Sequence, residues 1–142
     1  MKINIKKLHE NATTPTKGSE YSAGYDLHAL KDEVIFPHNT TKVSTGLAIE
    51  IPEGYFGGVF ARSGLAAKKG LRPANCVGVI DSDYRGEIIV LLHNDTDKYQ
   101  LINKGDRIAQ LVILPYLSVE FEETEELMPT ERGDGGFGST GK

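Results

Sequence analysis

Val43–Ile51 reads VSTGLAIEI, with apolar side chains at Val43, Leu47, Ile49 and Ile51 and with Ser44, Gly46, Ala48 and Glu50 between them. A period of two marks extended chain with one face buried and the other wet. Runs of the same kind lie on both sides: Ile3–Ile5, Tyr55–Phe60, Ile88–Leu92, Ile108–Leu114 and Val119–Phe121. Between them stand Pro52-Glu53-Gly54, Asn94-Asp95-Thr96-Asp97 and Asn103-Lys104-Gly105-Asp106, residue types that tolerate turn backbone angles. Many short strands divided by turns predict an all-β sandwich, jelly roll or barrel. Only SGLAAKKG (63–70) has a helical look, with Ser63 as its N-cap and Gly70 just past its end.

Ile88–Leu92 and Ile108–Leu114 are nearly continuous apolar runs, so both faces of those strands should be covered. In a chain of 142 residues the second cover is expected from another subunit. After Phe121 the pattern changes: four glutamates occupy 122–126, and beyond Pro129 glycine dominates. This predicts a body over residues 1–121, then an acidic linker and a flexible glycine-rich arm over 122–142.

The length suits one domain. With 16 basic against 20 acidic side chains and a formal charge of −4, no broad basic face is expected, and nucleic acid is not an expected partner. Cys76 is the only cysteine, which excludes an internal disulfide and suits a reducing compartment. MKINIKKLHE at the start lacks the apolar stretch of a signal peptide, and no run reaches the ~18 apolar residues of a membrane span. A soluble, cytoplasmic protein with no membrane partner is expected.

Several segments suit work on phosphates. In VGVIDSDYRGE (77–87), Asp81 and Asp83 flank Ser82 where an apolar run ends. On its own this is a solvated turn, yet one such carboxylate could orient and deprotonate a water. Arg62-Ser63-Gly64 joins a guanidinium and a hydroxyl to the first N–H groups of the predicted helix. Gly105-Asp106-Arg107 enters a strand as a turn with an expected Asp–Arg pair, and Gln110 places an amide inside an apolar run, where it needs a hydrogen-bond partner. Asp26 interrupts the apolar Ala23–Leu27 and likewise needs a partner if buried. In the tail, Arg132 and Phe137 stand among glycines, a composition that fits a disordered end or a stacking lid. His9, His28, His38 and His93 lack metal-ligand spacing and read as structural or surface residues. No GxxxxGK[ST] loop is present.

Taken in order, AGYDLHA (23–29), ARSGLA (61–66), VGVIDSDYRGEI (77–88), GDRIAQLV (105–112) and RGDGGFGSTG (132–141) resemble the five motifs of the trimeric dUTPase family, with matching spacing over nearly the whole chain. One departure is Ala61, where Pro or Ser is frequent in that family. The resemblance implies a distorted jelly roll, a dUTPase-like β-barrel, assembled as a homotrimer with shared active sites. Its activity would be hydrolysis of dUTP to dUMP and pyrophosphate, with magnesium as cofactor. It implies Asp81 as the base activating water, with Asp26, Arg62 and Gln110 completing the catalytic set. Uracil would be held by Asn75, Gly78, Val79, Ile80 and Ile89, and Tyr84 would exclude a 2′-hydroxyl. Arg62, Ser63, Gly64 and Gln110 would hold the phosphates from another subunit, while Asp26 and Asp106 organise them. From the arm, Arg132 would meet the γ-phosphate, Phe137 would stack on uracil, and Gly138, Ser139 and Thr140 would close over the chain. The resemblance implies no protein residues as metal ligands. Two alternatives share its outline: a dCTP deaminase-like relative, whose separate carboxylate motif has no match here, and a non-catalytic regulatory binding trimer.

Overall fold

The structure, a computed structural model, describes residues 1–139 and 141. In chain order its elements are β1 (Asn4–Lys7), β2 (Thr16–Lys17), β3 (Tyr25–His28), β4 (Glu33–Ile35), β5 (Thr40–Ser44), β6 (Leu47–Glu50), β7 (Tyr55–Phe60), α1 (Ser63–Lys69), β8 (Leu71–Pro73), β9 (Gly78–Ile80), β10 (Ile89–Asn94), β11 (Gln100–Ile102) and β12 (Arg107–Pro115). The strands form a five-stranded sheet in the order β2-β3-β12-β7-β9, a three-stranded sheet β5-β10-β8, and the pairs β1–β6 and β4–β11. Every pairing is antiparallel. Leu27, Ala109 and Leu111 of the five-stranded sheet and Val43, Val90 and Leu92 of the three-stranded sheet join one apolar core. The predicted all-β class is what forms, with the jelly-roll-like arrangement and one short helix.

The Val43–Ile51 repeat is extended but does not make one strand. Gly46 takes a left-handed φ of 69°, and a Cβ there would stand 3.0 Å from the Cβ of Ala12, so glycine alone serves both demands. Thr45 Oγ1 donates to the Ile88 carbonyl at 2.6 Å, and the Gly46 N–H donates to Glu87 Oε1 at 2.8 Å. The break passes the chain from the three-stranded sheet, where β5 pairs with β10, to the β1–β6 pair.

Two further expectations need correcting. Val119–Phe121 forms no strand and is exposed, because no sheet edge of the same chain meets it. Within the single chain Val90 and Leu92 are buried, whereas Ile89 is exposed and Leu91, Val112 and Leu114 are half-buried, so one face of β10 and β12 is left open by the chain itself. Ser63 is the first helical residue, not the cap. The N-cap position belongs to Arg62 in extended conformation, with no side chain capping the helix, while Gly70 closes the other end at φ 62°.

Candidate active site

β3 and β12 run side by side with Asp26 opposite Gln110, which brings two of the expected site residues to one place. Asp26 is only 9% exposed, and a buried carboxylate is strongly destabilising unless paired. Arg62 Nε donates to its Oδ1 at 2.8 Å, and Arg107 Nη1 donates to its Oδ2 at 3.3 Å. Arg62 Nη1 also donates to the Arg107 carbonyl at 3.4 Å, so the two arginines are tied to each other as well as to the carboxylate. Gln110 Nε2 donates to the Ala61 carbonyl at 2.9 Å. Its Oε1 lies against Gly24, where any Cβ would collide with it.

Together with Ser63 and Gly64 these residues line a cleft of about 200 Å³, which Gly18, Ser22 and Gly24 complete. The first N–H groups of α1 have no partner within the helix. Two guanidiniums, a hydroxyl, an amide and open N–H groups around a small cleft are a recognition set for phosphate oxygens. The expected Asp106–Arg107 pair is not made. Asp106 Oδ2 instead accepts the Asn103 N–H at 2.9 Å and closes its own turn, while Arg107, at the start of β12, turns to Asp26.

Arg107, Gly18, Ser22 and His28 were not among the expected site residues. Spacing offered a signal for His28, since residues two apart on a strand share a face and His28 follows Asp26 by two. Its Nδ1 is buried with no hydrogen-bond partner among the described residues. Burial holds the ring below the ordinary histidine range; Asp26 opposes that, while Arg107 and Arg62 add to it. The other histidines do make local ties: His9 Nδ1 accepts the Asn11 N–H, His38 Nε2 meets Asp97 at 2.8 Å, and His93 Nδ1 meets Thr40 at 3.0 Å. Near His93, the hydrogen-bonded Arg72 guanidinium holds the Asp95 carboxyl below its usual range.

The remaining residues run alongside β7 toward its first residue. β9 pairs with β7 so that Gly78 faces Val59 and Ile80 faces Gly57, and Asp81 leaves the strand immediately afterwards. Its carboxylate accepts no hydrogen bond among the described residues and lines a second cleft with Glu53, Ser82, Asp83, Arg85 and Tyr116. The turn behind it is braced. Tyr84 N–H donates to the Asp81 carbonyl at 3.2 Å, Tyr84 Oη donates to the Glu87 carbonyl at 3.0 Å, and Arg85 Nη1 donates to the Ser82 carbonyl at 2.6 Å. Asn75 lies next to Gly78, while Val79 and Ile89 are exposed. The VIDSDY segment is not a paired hairpin, since β9 joins β7 whereas β10 joins β5 and β8.

Asp81 and Arg62 therefore stand at opposite ends of one strand. Asp81 follows Ile80, which faces Gly57, and Arg62 lies two residues beyond the last residue of β7. At ~3.3 Å per residue the two positions are roughly 20 Å apart along the chain. The described residues of the arm meet neither cleft: Phe137 is wholly exposed, Arg132 Nε donates to the Gly135 carbonyl at 2.7 Å, and Ser139 N–H donates to the Gly136 carbonyl. Thr140 lies outside the described residues. Among the described residues, no three His, Cys, Asp or Glu side chains gather where they could hold a metal ion.

A family model described as dUTPase matches residues 10–141. The chain is 52% identical over 142 residues to the deoxyuridine 5′-triphosphate nucleotidohydrolase of Hydrogenobaculum sp., covering 99% of each. Its fold superposes on the dUTPase of Staphylococcus bacteriophage 80alpha, solved as a G164S mutant with dUpNHpp, with a TM-score of 0.92 at 31% identity and 99% of both chains covered. A D95N mutant dUTPase of S. aureus phage phi11, described with a structural Mg(II) ion, superposes with a TM-score of 0.81 at 29% identity over 89% of this chain and 98% of that one.

Proposed function

This chain belongs to the dUTPase family, and from that premise we propose that it hydrolyses dUTP to dUMP and pyrophosphate by attack of water on the α-phosphorus. Such an activity limits uracil in DNA and supplies dUMP for dTMP synthesis. The observation that carries the mechanism is the separation along β7: a carboxylate with no side-chain partner among the described residues at one end and an arginine-built phosphate cleft at the other. With its guanidinium turned to Asp26, Arg62 lines a cleft of one chain that does not include that chain's Asp81. A site built where subunits meet, with Asp81 from one and Arg62, Ser63, Gly64 and Gln110 from another, removes the conflict. Ile89, Leu91, Val112 and Leu114, and the uncovered Leu117, Val119 and Phe121, are surfaces for those contacts, which supports a homotrimer.

In that assembly Asp81 accepts the proton of the attacking water. Asn75, Gly78, Val79, Ile80 and Ile89 receive uracil, and the braced ring of Tyr84 lies under the deoxyribose. A pocket rejects one added methyl by only ~1–3 kcal/mol through lost contact, so the close approach of Asn75 and Val59 to Gly78 has to act sterically. Asp26 holds the two arginines apart and aligned, and Asp106 fixes the turn that introduces Arg107. Residues 1–121 act as the body, and 122–142 carry Arg132, Phe137, Gly138, Ser139 and Thr140 to a site as a lid. Because Asp26 is fully engaged by arginines and no cluster of ligands exists among the described residues, magnesium would arrive on the triphosphate itself, as this ion often does. There it would neutralise charge on the phosphate oxygens. The absence of disulfide-forming pairs supports the cytoplasm as the compartment.

Pyrophosphate release from dUTP, dCTP, dTTP and UTP, measured side by side, tests the proposal. Hydrolysis confined to dUTP is the expected outcome, and equal rates on dTTP or none on dUTP would overturn it.

A further inference from the structure

His28 has no part in the chemistry above, yet it stands behind the phosphate cleft. It shares a face of β3 with Asp26, and it is the register partner of Arg107 on β12. Its Nδ1 is sealed from solvent with no hydrogen-bond partner among the described residues. In a neutral ring the proton then belongs on Nε2, because an unsatisfied N–H costs more to bury than an unused lone pair. The charged groups that act on the ring are Asp26 of β3, Arg107 of β12 and Arg62 ahead of α1. The two cations oppose a charge on His28, while the carboxylate favours it.

We propose, on the reading that this cleft binds the substrate's phosphates, that His28 is a positioning residue for the Asp26–Arg62–Arg107 clamp, neutral while the cleft is empty and protonated once phosphates engage the arginines. The physical sequence is short. Phosphate oxygens draw the guanidiniums from Asp26 and offset their charge, which lifts the repulsion on the imidazole. A proton from solvent then converts Nδ1 into a donor, and Asp26, having lost part of its arginine hydrogen bonding, is the carboxylate available to accept it. The carboxylate stays satisfied in both states, so the arginines can move to substrate without leaving a buried charge bare.

Inorganic pyrophosphate is the probe. Calorimetric titration at pH 6.5 in two buffers of different ionisation enthalpy should report greater proton uptake per site by the wild-type chain than by His28→Gln, by linkage between ligand and proton binding. In the wild-type protein, without any variant, the NMR titration midpoint of the His28 ring should move upward on saturation with pyrophosphate. Equal uptake by both proteins, an unmoved or lowered midpoint, or no pyrophosphate binding would each overturn the proposal. A parallel dUTP assay at pH 8 separates the two questions: linked proton uptake without dUTP turnover would refute the substrate and leave His28's role standing.

Discussion

Asp81 is the residue whose surroundings say most about its chemistry. A carboxylate that only shapes its turn would be spent on that turn's N–H groups, as Asp106 is on Asn103. The Asp81 carboxylate is not, because its turn is held instead by main-chain bonds and by Arg85. Asp81→Asn should therefore fold and bind a nonhydrolysable dUTP analogue normally, while kcat falls by about 10²-fold or more, the usual size of an acid–base contribution. Near-normal turnover would remove it from the role. His28 makes a separate claim on stability. Burial holds its folded-state titration below the ordinary histidine value of 6.5, so the unfolded chain binds its proton first as pH falls. Stability should be complete above about pH 6.5 and decline below it, and thermal melts between pH 8 and 5 should fall more steeply for the wild-type chain than for His28→Gln. The Asp95–Arg72 pair has the same sign but acts lower, below the ordinary carboxyl value of 3.8, so it does not confuse the window.

At the scale of elements, the strands that sequence period made legible are those whose partners lie within the chain. Tyr55–Phe60 forms β7 residue for residue because its pairing with β12 and β9 matches its own pattern. Val43–Ile51 misleads because period two continues through Gly46, where the backbone must turn to change sheets, and nothing in the alternation marks a positive φ. Val119–Phe121 misleads differently, since its alternation suits a strand with no edge to join inside one chain. Motif order made Asp26, Arg62 and Gln110 legible as one group. The Arg107–Asp26 bond was not legible, since adjacency suggested Asp106 and only the register of β3 against β12 brings Asp26 within reach. The arm is the element whose function the fold leaves most exposed. Among its described residues, the segment 130–142 holds no buried side chain, so on its removal melting temperature and oligomeric state should be unchanged, whereas kcat/KM should collapse with loss of the lid that excludes water and fixes the substrate. Full activity in the truncated protein would make the tail a plain disordered end.

For the whole molecule, the decisive issue is which chains supply Asp81 and Arg62 to a given site. If each site uses Asp81 of one subunit and Arg62 of its neighbour, two inactive variants can repair each other. Asp81→Asn lacks the base but keeps the clamp, and Arg62→Ala lacks the clamp but keeps the base. In a closed ring every subunit gives one half-site to each neighbour. Random mixing at equal amounts then joins an intact Asp81 to an intact Arg62 at about a quarter of the sites, the product of two even chances around the heterologous interface. Co-refolding the two variants should thus restore about a quarter of wild-type kcat, while each alone stays inactive. If each chain held its own complete site, every site in the mixture would carry one of the two lesions, and the mixed sample would remain as inactive as its parts. Native mass spectrometry on the same sample, with one variant carrying a mass tag, checks that mixed oligomers formed, so an absence of activity there would count against the shared site and not against the mixing.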